Sequence, residues 1–446
     1  MENHQEKTTS KKRQHRIPTA STVLPDGTLV EMVYKPDARR SHFICYRDNQ
    51  WRVEERVEAG PYRLLVPYSP ENNLLKHDVV LFPSEVQEYH SEEQLVRQIQ
   101  SFIHRYVDVS PLFEKIVSYY VLFTWVYDSF NELPYLRVRA DYGSGKTRFL
   151  LTVGSLCYKP IFAGASTVSP LFRILDAFRG TLIIDEGDFR LSDEKAEIVK
   201  ILNNGNARGF PVLRSEATQN HEFNPTAYTV FGPKIVATRG FFQDRALESR
   251  CLTEVMGQER PRDDIPINLP AAHKQEALDI RNELLLFRFR NFHKRAPIDQ
   301  LVDRTLEPRM NQIFAPLLSI IEDTTARTEL RELARNINRD LIADRGMDIE
   351  AQILDSIRKM IASGETRLSV KDITDRFIDR YGPDYERKIS TKWVGTIVRR
   401  RLGLKTQKSR GVFVIPPSEE PKLARLYEKF GIMPKESDEP EPAEAT

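Results

Sequence analysis

The chain has 446 residues, 40% of them hydrophobic and 29% charged, which is typical of a globular protein with room for two or three domains. Its net charge of +2 at pH 7 does not by itself indicate a nucleic-acid or membrane partner. The three cysteines, Cys45, Cys157 and Cys251, are far apart, which excludes a disulfide framework and a paired-cysteine metal site. The polar N-terminus has no apolar segment of a secretory signal, and the most apolar run, 116–126, is too short to cross a bilayer. We therefore expect a cytoplasmic protein without membrane contact.

Three segments precede the first functional motif. Residues 1–16 are polar and basic, which predicts a disordered arm whose charges could touch nucleic acid or simply be solvated. Residues 17–90 contain short apolar runs separated by turns, which predicts a small strand-rich accessory domain. In residues 91–132, apolar residues recur at helical spacing after Ser91 and again after Ser110, so we expect two helices that pack against the next domain.

The segment 135–150 has the order of a phosphate-binding loop: a short strand, a glycine-rich loop ending in Lys-Thr, and the first turn of a helix. Gly143 and Gly145 allow the loop to curl so that its N–H groups point at phosphate oxygens. Lys146 could reach the β- and γ-phosphates of ATP, and the Thr147 hydroxyl could bind Mg²⁺. Ala140 stands where the usual pattern begins with glycine. The predicted nucleotide contacts are Asp141, Tyr142, Gly143, Ser144, Gly145, Lys146, Thr147 and Arg148.

An apolar strand followed by two acids comes next, with Asp185 placed 39 residues after Lys146. A buried parallel strand delivers carboxylates from its C-terminal end to a ligand crevice. We expect Asp185 to hold Mg²⁺ with Thr147, and Glu186 to orient and deprotonate the attacking water. The alternatives for the two motifs are a glycine turn with a surface lysine and a strand that ends in an exposed acidic turn.

A third strand is predicted over 231–239, and near its end lies Thr238, whose hydroxyl could hydrogen-bond the γ-phosphate or the attacking water. Arg250 ends a short helical segment beyond this strand, from which it could project toward the γ-phosphate of a neighbouring subunit. Taken alone, a capping threonine and a surface arginine are equally good interpretations. Before this strand, 202–215 predicts a basic hairpin that could point Arg208 and Arg214 into a central channel.

Together these elements resemble a AAA+ ATPase, and more specifically the ring helicases of the MCM and superfamily III kind found in phages and mobile elements. The resemblance covers 102–415 and is most specific over 135–256. Gly-Ser-Gly-Lys-Thr at 143–147 matches the Walker A loop, and Leu-Ile-Ile-Asp-Glu at 182–186 matches Walker B. The compact spacing between them is similar to that of superfamily III enzymes.

Two further motifs extend the resemblance. Ile-Val-Ala-Thr-Arg at 235–239 stands at the position of sensor one, with Thr238 in place of the usual Asn. Leu-Glu-Ser-Arg-Cys at 247–251 resembles the Ser-Arg-Phe signature of MCM proteins, which implies that Arg250 is a trans-acting arginine finger, with Arg245 in reserve. The resemblance also implies a homo-oligomeric, hexameric ring that uses ATP and Mg²⁺.

The resemblance assigns roles to two more parts of the chain. The hairpin around Arg208 and Arg214 looks like the DNA-gripping hairpin that precedes the first sensor in these helicases. Residues 258–345 fit the helical lid that follows a AAA+ core, in which Arg304 or Arg309 could be a second sensor. Either of these two arginines is interpreted equally well as an ordinary surface residue.

The C-terminal part predicts a winged helix-turn-helix over 346–416, because three helical patterns are followed by a β-hairpin. The segment 387–410 contains no Asp or Glu, so its nine positive charges form a footprint for DNA phosphates, or else a solvated basic helix. The tail 417–446 is acidic and proline-rich, which predicts disorder. The nine basic residues are Arg387, Lys388, Lys392, Arg399, Arg400, Arg401, Lys405, Lys408 and Arg410.

The predicted fold is thus an α/β P-loop NTPase core of the AAA+ type over 133–257, with a helical lid, an N-terminal strand-rich domain and a C-terminal winged helix. The predicted function is that of an ATP-hydrolysing, ring-forming DNA helicase or translocase acting in replication of a mobile element or phage. Its partners would include DNA and a primase or other replication proteins of the same element. The alternatives are an ATP-switched replication initiator or regulator that does not unwind DNA, and a remodeller of a protein partner.

Overall fold

The computed structural model describes residues 15–163, 168–185, 193–215, 225–242, 244–258, 260–294, 299–346, 349–382 and 389–432. Its contacts divide the chain into two units, Met1–Glu332 and Leu333–Thr446. No helix among the described residues is long and apolar enough to span a bilayer.

The first unit begins with two small sheets. The strands are β1 (His15–Pro18), β2 (Ser21–Val23), β3 (Leu29–Lys35), β4 (Arg40–Arg47), β5 (Gln50–Glu54), β6 (Val57–Glu58) and β7 (Arg63–Val66). Strands β2 to β5 form an antiparallel sheet in chain order, and the other three form a sheet in the order β1-β7-β6. Because His15 and Arg16 pair with Arg63 and Leu64, the end of the predicted disordered arm lies in a strand.

Three helices lead from these strands into the central sheet: α1 (Asn73–Lys76), α2 (Glu92–Tyr106) and α3 (Pro111–Val126). Ser91 and Ser110 cap α2 and α3, since each side chain accepts a backbone N–H from the first turn. Almost every residue of α3 is buried, as expected for a helix that is apolar on all sides.

The centre of the unit is a five-stranded parallel sheet in the order β14-β8-β13-β10-β9. The C-terminal ends of its five strands lie together at one end of the sheet, which we call the loop edge, and their N-terminal ends lie at the opposite edge. In these two names, edge means a row of strand ends and not the outermost strands β14 and β9. The elements are β8 (Tyr135–Arg139), α4 (Lys146–Gly154), β9 (Ile161–Ala163), α5 (Val168–Phe178), β10 (Leu182–Ile184), α6 (Asp193–Asn204), β11 (Val212–Arg214), β12 (Thr226–Tyr228), β13 (Lys234–Thr238), α7 (Arg245–Glu248) and β14 (Cys251–Val255).

The N-terminal strands share one core with the central sheet. A single cluster of buried apolar side chains extends from Val30 and Phe43 of the antiparallel sheet to Leu182 and Val236 of the parallel sheet. Residues 17–90 therefore do not form a separate accessory domain, contrary to the prediction from their strand-and-turn pattern.

Three further helices follow the parallel sheet: α8 (Ala272–Asn291), α9 (Pro308–Ile320) and α10 (Thr324–Gly346). The segment predicted as a lid is thus helical, but Arg281 and Asn282 of α8 bind away from the predicted phosphate loop. Arg281 donates to Ser155 O at 2.6 Å, at the C-terminal end of α4, and the Asn282 side chain accepts from Ser84 N at 2.9 Å. Helix α8 therefore contacts the end of α4 that lies away from the loop.

A buried charge network ties α8 to the N-terminal strands. The Arg288 guanidinium, 1% exposed, donates to Glu31 Oε1 at 2.7 Å and to both carboxylate oxygens of Asp128 at 2.7 and 2.8 Å. Tyr158 donates to the Glu31 carboxylate at 2.8 Å. Burial is the largest influence on the pKa of the Asp128 carboxyl and raises it, but the charge and hydrogen bonds of Arg288 together with the charge of Lys159 outweigh burial, so that pKa is lowered. The network joins segments more than 250 residues apart in the chain.

Among its described residues, the second unit contains the C-terminal part of α10, four further helices and an antiparallel sheet in the order β15-β17-β16. Arg410 and Gly411, with φ of 46° and 84°, form the two-residue turn between β16 and β17, as in a type I′ hairpin. The elements are α11 (Ile349–Ala362), β15 (Leu368–Ser369), α12 (Val370–Tyr381), α13 (Thr391–Thr396) continued by a π-helical turn (Ile397–Arg401), β16 (Gln407–Ser409), β17 (Val412–Ile415) and α14 (Glu420–Lys429).

The tail predicted to be disordered from residue 417 contains a helix, α14, over Glu420–Lys429. Leu423 of this helix is 3% exposed and belongs to the apolar core of the second unit. The Glu419 side chain also accepts the backbone N–H of Lys405 at 3.1 Å. The acidic composition of the tail therefore gave a wrong prediction of disorder for the part that forms α14, because buried apolar contacts hold this helix on the second unit.

Candidate nucleotide site and basic surface

The phosphate loop connects β8 to α4 at the loop edge. Gly143 and Gly145 have φ of 74° and 87°, a conformation that glycine adopts without strain. Ala140 does not have a positive φ, so the alanine that departs from the usual pattern needs no strained backbone. Lys146 Nζ donates to Ala140 O at 2.7 Å and to Asp141 O at 2.5 Å, which holds the ammonium against the loop. The Lys146 ammonium thus lies where phosphate oxygens could replace the carbonyl oxygens of Ala140 and Asp141 as hydrogen-bond acceptors.

Thr147 and Asp185 meet across the loop edge. Thr147 Oγ1, in the first turn of α4, donates to Asp185 Oδ2 at 2.7 Å, directly after β10. The described residues contain no cluster of three or more His, Cys, Asp or Glu side chains that could cage a metal. Mg²⁺ usually binds one or two side-chain oxygens together with water and substrate phosphates, so this pair fits Mg²⁺. Glu186 lies outside the described residues.

Thr238 lies at the end of β13, beside the start of the loop. Its backbone O accepts the N–H of Ala140 at 3.1 Å, and its side chain is 2% exposed. Its hydroxyl donates to Gly240 O at 3.1 Å. The structure therefore brings Thr238 next to the loop, and its hydroxyl stabilises the turn that follows β13.

Two arginine–aromatic pairs flank the loop, and sequence reasoning missed both. The Arg239 guanidinium lies 3.6 Å from the ring centroid of Tyr142, and that of Arg139 lies 3.7 Å from the ring centroid of Phe241. Tyr142 is 76% exposed and Phe241 is 71% exposed. Arginine next to an aromatic residue is too common in sequences to identify such pairs, since the contact depends on which strand ends are neighbours.

Arg250 lies at the opposite edge of the sheet from the loop. The Arg250 backbone O accepts the N–H of Tyr135, the first residue of β8, at 2.9 Å. The loop begins after Arg139, four residues further along this strand, which is about 13 Å away. The Arg250 side chain donates to Asn203 Oδ1, and its buried Nε has no hydrogen-bond partner among the described residues.

Arg309 lies beside Arg250 rather than beside the loop. Its guanidinium donates to Ala246 O at 2.9 Å and approaches Ser249 Oγ at 3.5 Å. Burial, and after it the charge of Arg309, lower the pKa of Arg250. Arg309 is therefore not placed as a second sensor of its own site. Arg304 is exposed, and the side chain of Arg245 lies outside the described atoms.

The predicted hairpin exists as β11 and β12, but its two arginines are bound to the rest of the first unit. Arg208 lies before β11 and donates to Phe130 O at 2.8 Å and to Asp128 O. Arg214 forms an ion pair with Glu197 of α6, and its guanidinium lies 4.4 Å from the ring centroid of Phe172. Each arginine thus has intramolecular partners in this structure, and the channel-facing role of both as DNA contacts stays a prediction.

The second unit carries exposed basic residues on α13, on the π-helical turn, and from the segment before β16 to the β16–β17 turn. Of the nine basic residues predicted over 387–410 to contact DNA, Arg401 pairs with Glu350 at 3.0 Å. The guanidinium of Arg399 lies 5.4 Å from the ring centroid of the half-exposed Phe413. The other two residues of the predicted set, Arg387 and Lys388, lie outside the described residues. Apart from Arg401, the set has no ion-pair partner within the described part of the chain. This basic surface consists of Lys392, Arg399, Arg400, Lys405, Lys408 and Arg410.

No family model and no curated protein matches the chain. Among solved structures it aligns with the apo C-terminal region of NrS-1 at 11% identity, over 86% of this chain and 96% of that one, with a TM-score of 0.38. A full-length MCM homolog from Methanopyrus kandleri aligns at 12% identity, over 70% and 76% of the two chains, with a TM-score of 0.33. The Aeropyrum pernix ORC1 protein in complex with DNA aligns at 15% identity, over 76% and 95%, with a TM-score of 0.21. Since these TM-scores are below 0.5, the function is inferred from the residues of this chain.

Proposed function

We propose that the chain is a AAA+ ATPase that assembles into a ring, hydrolyses ATP between subunits, and translocates on or unwinds DNA during replication of a mobile element or phage. The observation that carries this proposal is the separation of Arg250 from its own phosphate loop. The loop, Thr147 and Asp185 lie at one edge of the parallel sheet, whereas Arg250 lies at the other. An arginine placed there can complete the site of a neighbouring subunit but not its own.

Each residue at the loop edge has a role in this proposal. The loop N–H groups and Lys146 bind the β- and γ-phosphates, and Thr147 and Asp185 hold Mg²⁺, which when bound neutralises charge on those phosphates. Glu186 orients and deprotonates the attacking water, and Thr238 contacts that water or the γ-phosphate by exchanging its bond to Gly240. The neighbour's Arg250 stabilises the charge that develops during transfer, an effect worth several orders of magnitude in rate.

DNA binding is assigned to the second unit, which we interpret as a winged helix. Six exposed cations on the basic surface, without ion-pair partners among the described residues, are a phosphate-binding footprint, and Arg410 lies at the tip of the hairpin that corresponds to the wing. Arg399 and Phe413 add an exposed arginine–aromatic pair to the same surface. Arg208 and Arg214 are left out of the DNA contacts because they bind the chain itself.

One observation favours an ATP-switched initiator or regulator that does not unwind DNA. The bonds of Arg208 and Arg214 leave the hairpin without a free arginine at its base. The sequence 216–224 between its strands contains no Lys or Arg. A hairpin that grips a DNA strand in a channel is expected to be basic. This chain could therefore use nucleotide to assemble on duplex DNA through the second unit alone.

The test compares ATP hydrolysis without DNA, with single-stranded DNA and with forked DNA, and measures assembly with and without ATP. We expect DNA-stimulated hydrolysis by an ATP-dependent oligomer, and no hydrolysis by Lys146→Ala. Arg250→Ala should bind ATP normally yet hydrolyse it at least about 1,000-fold more slowly. Equal mixing of the two variants should restore activity, because loop and arginine then come from different subunits.

Two results would change this assignment. Normal hydrolysis by Arg250→Ala would exclude a site shared between subunits. DNA-stimulated hydrolysis without strand separation on the fork would favour the initiator or regulator over the helicase.

A further inference from the structure

Helix α6 ends beside Arg250 at the opposite edge of the sheet. Tyr135 Oη, buried in β8, donates to Leu202 O at 2.8 Å, and Leu202 is fully buried. The next residue, Asn203, is therefore held in a fixed position relative to the first residue of β8. Since Arg250 O is bonded to Tyr135 N, Asn203 and Arg250 are both fixed against that one residue.

The two ends of the Asn203 amide have different partners. Its Oδ1 accepts a hydrogen bond from the Arg250 guanidinium, and its Nδ2 donates to Asp244 Oδ2 at 2.9 Å. An arginine can only donate and a carboxylate can only accept, so these partners determine which end of the amide is oxygen. Asp244 in turn accepts the N–H of Ala246 at 2.8 Å and so caps α7, the helix that leads to Arg250.

The residue that holds the guanidinium is a neutral amide, not a carboxylate. Arg250 has no ion-pair partner among the described residues, and Asp244 is separated from it by the amide. The buried Nε also has no hydrogen-bond acceptor in the part of the chain that the structure describes. The guanidinium is thus fixed in position while its charge is left available to an anion. A carboxylate at position 203 would fix it equally well but would neutralise it.

We propose that Asn203 is the positioning residue of Arg250: it aims the guanidinium at the γ-phosphate of a neighbouring subunit without cancelling its charge. This inference rests on the proposed function, because it requires a site shared between subunits. It adds a residue that no motif of the sequence marks, and it explains why an amide lies at the end of α6.

The first test compares Asn203→Ala with Asn204→Ala in the full chain. Asn204 is a matched control, since it is the next residue of α6 and its side chain donates to Lys200 O of its own helix at 2.9 Å, its one partner among the described residues. We expect Asn203→Ala to lower kcat of DNA-stimulated hydrolysis by about 10- to 100-fold with less than about a threefold change in KM, because the arginine is misplaced and the loop is intact. Asn204→Ala should behave as the unchanged protein. Equal kcat for the two variants would overturn the proposal.

The second test separates charge from structure by exchanging two side chains. The double variant Asn203→Asp, Asp244→Asn keeps the hydrogen bond between the two positions and the net charge, but places the carboxylate on Arg250. We expect its urea unfolding midpoint to be unchanged and its kcat to fall about 10-fold or more. A purely structural role for Asn203 predicts full activity for this variant, and that result would also overturn the proposal.

A mixing experiment identifies the subunit on which Asn203 acts. Asn203→Ala mixed with Lys146→Ala should hydrolyse ATP faster than the same amount of Asn203→Ala alone, since intact loops of the first then meet intact arginines of the second. No recovery would show that Asn203 serves its own loop. If the unchanged protein does not hydrolyse ATP, or if Arg250→Ala is fully active, the proposed function fails and this inference fails with it. If those two results are as expected and only the Asn203 variants are normal, the inference alone is wrong.

Discussion

Thr147 Oγ1 donates a hydrogen bond of 2.7 Å to Asp185 Oδ2. The two residues come from different strand–helix junctions and meet because β8 and β10 both flank β13 in the parallel sheet. Their oxygens are of the kind that Mg²⁺ prefers, and they lie at the point where the bound phosphates of ATP are expected.

Replacing Thr147 by Val should remove one Mg²⁺ ligand while keeping the shape of the side chain. We expect the Mg²⁺ concentration for half-maximal hydrolysis to rise about 10-fold or more. Thr147→Ser keeps the hydroxyl and should retain the original Mg²⁺ dependence. The Mg²⁺ concentration for half-maximal hydrolysis is measured by titrating each variant with Mg²⁺ at saturating ATP. Identical titrations for the Val and Ser variants would show that this hydroxyl does not bind the metal.

Replacing Arg288 by Met should strongly destabilise the first unit. The change leaves the carboxylates of Glu31 and Asp128 without their shared partner, and losing one member of a buried ion pair costs about 3–5 kcal/mol. Arg290→Met is the control on the same helix, because Arg290 pairs with the exposed Glu88 and should contribute about 1 kcal/mol or less. Urea unfolding compares the free energies of unfolding. Equal losses for the two variants would contradict this interpretation of the network.

Lys234 should make stability depend on pH. Its ammonium is buried at the start of β13 and donates to Val230 O and Gly232 O, with no carboxylate partner among the described residues, and burial lowers its pKa to about 7. In the unfolded chain its pKa is about 10.4, so between pH 7 and 10 the unfolded state binds more protons and stability rises with pH. Below about pH 7 Lys234 is protonated in both the folded and the unfolded state, and the gain in stability from its deprotonation in the folded state is lost.

Lys234→Met should remove this slope. From pH 7 to 9 we expect the free energy of unfolding of the unchanged protein to rise by about 2 kcal/mol relative to the variant. Because Lys159 also has a pKa lowered by burial, to about 8, the difference between the two proteins is the relevant quantity. Parallel stability curves over this range would show that Lys234 does not titrate there.

The basic surface should determine the salt dependence of DNA binding. Lys408→Ala with Arg410→Ala removes two exposed cations from the β16–β17 hairpin. We expect weaker duplex binding and a slope of log affinity against log salt that is smaller by about 0.9 for each lost phosphate contact. The control Arg425→Ala with Lys429→Ala removes equal charge from exposed positions of α14 and should leave the slope unchanged. Equal slopes for the two double variants would place the DNA contacts elsewhere.

Local sequence was enough to predict the parts of the site that lie within one strand–turn–helix segment. Gly143, Gly145 and Lys146 belong to such a segment, and the apolar run before Asp185 predicts a buried parallel strand that ends in an acid. The loop geometry and the contact between Thr147 and Asp185 agree with that expectation.

Partners that are distant in the chain could not be predicted in this way. Arg208 and Arg214 look alike as free cations in sequence, yet one binds carbonyls just beyond the end of α3 and the other binds Glu197 on α6. The same limit applies to Arg288, whose partner Glu31 is in the N-terminal sheet. Asn203 gave no signal at all, because its role depends on two residues that the fold brings to the end of one helix.

The Glu31–Arg288 pair has a practical consequence for dissecting this protein. A truncation that removes the N-terminal strands would delete Glu31 and the apolar residues Val30 and Phe43 from the shared core. It would leave Arg288 in the remaining fragment with Asp128 as its sole carboxylate partner among the described residues. Loss of activity in such a fragment would therefore report a damaged fold instead of a missing function. The role of the N-terminal strands is better tested by substitutions on their exposed edge, such as at Trp51 and Val53 of β5.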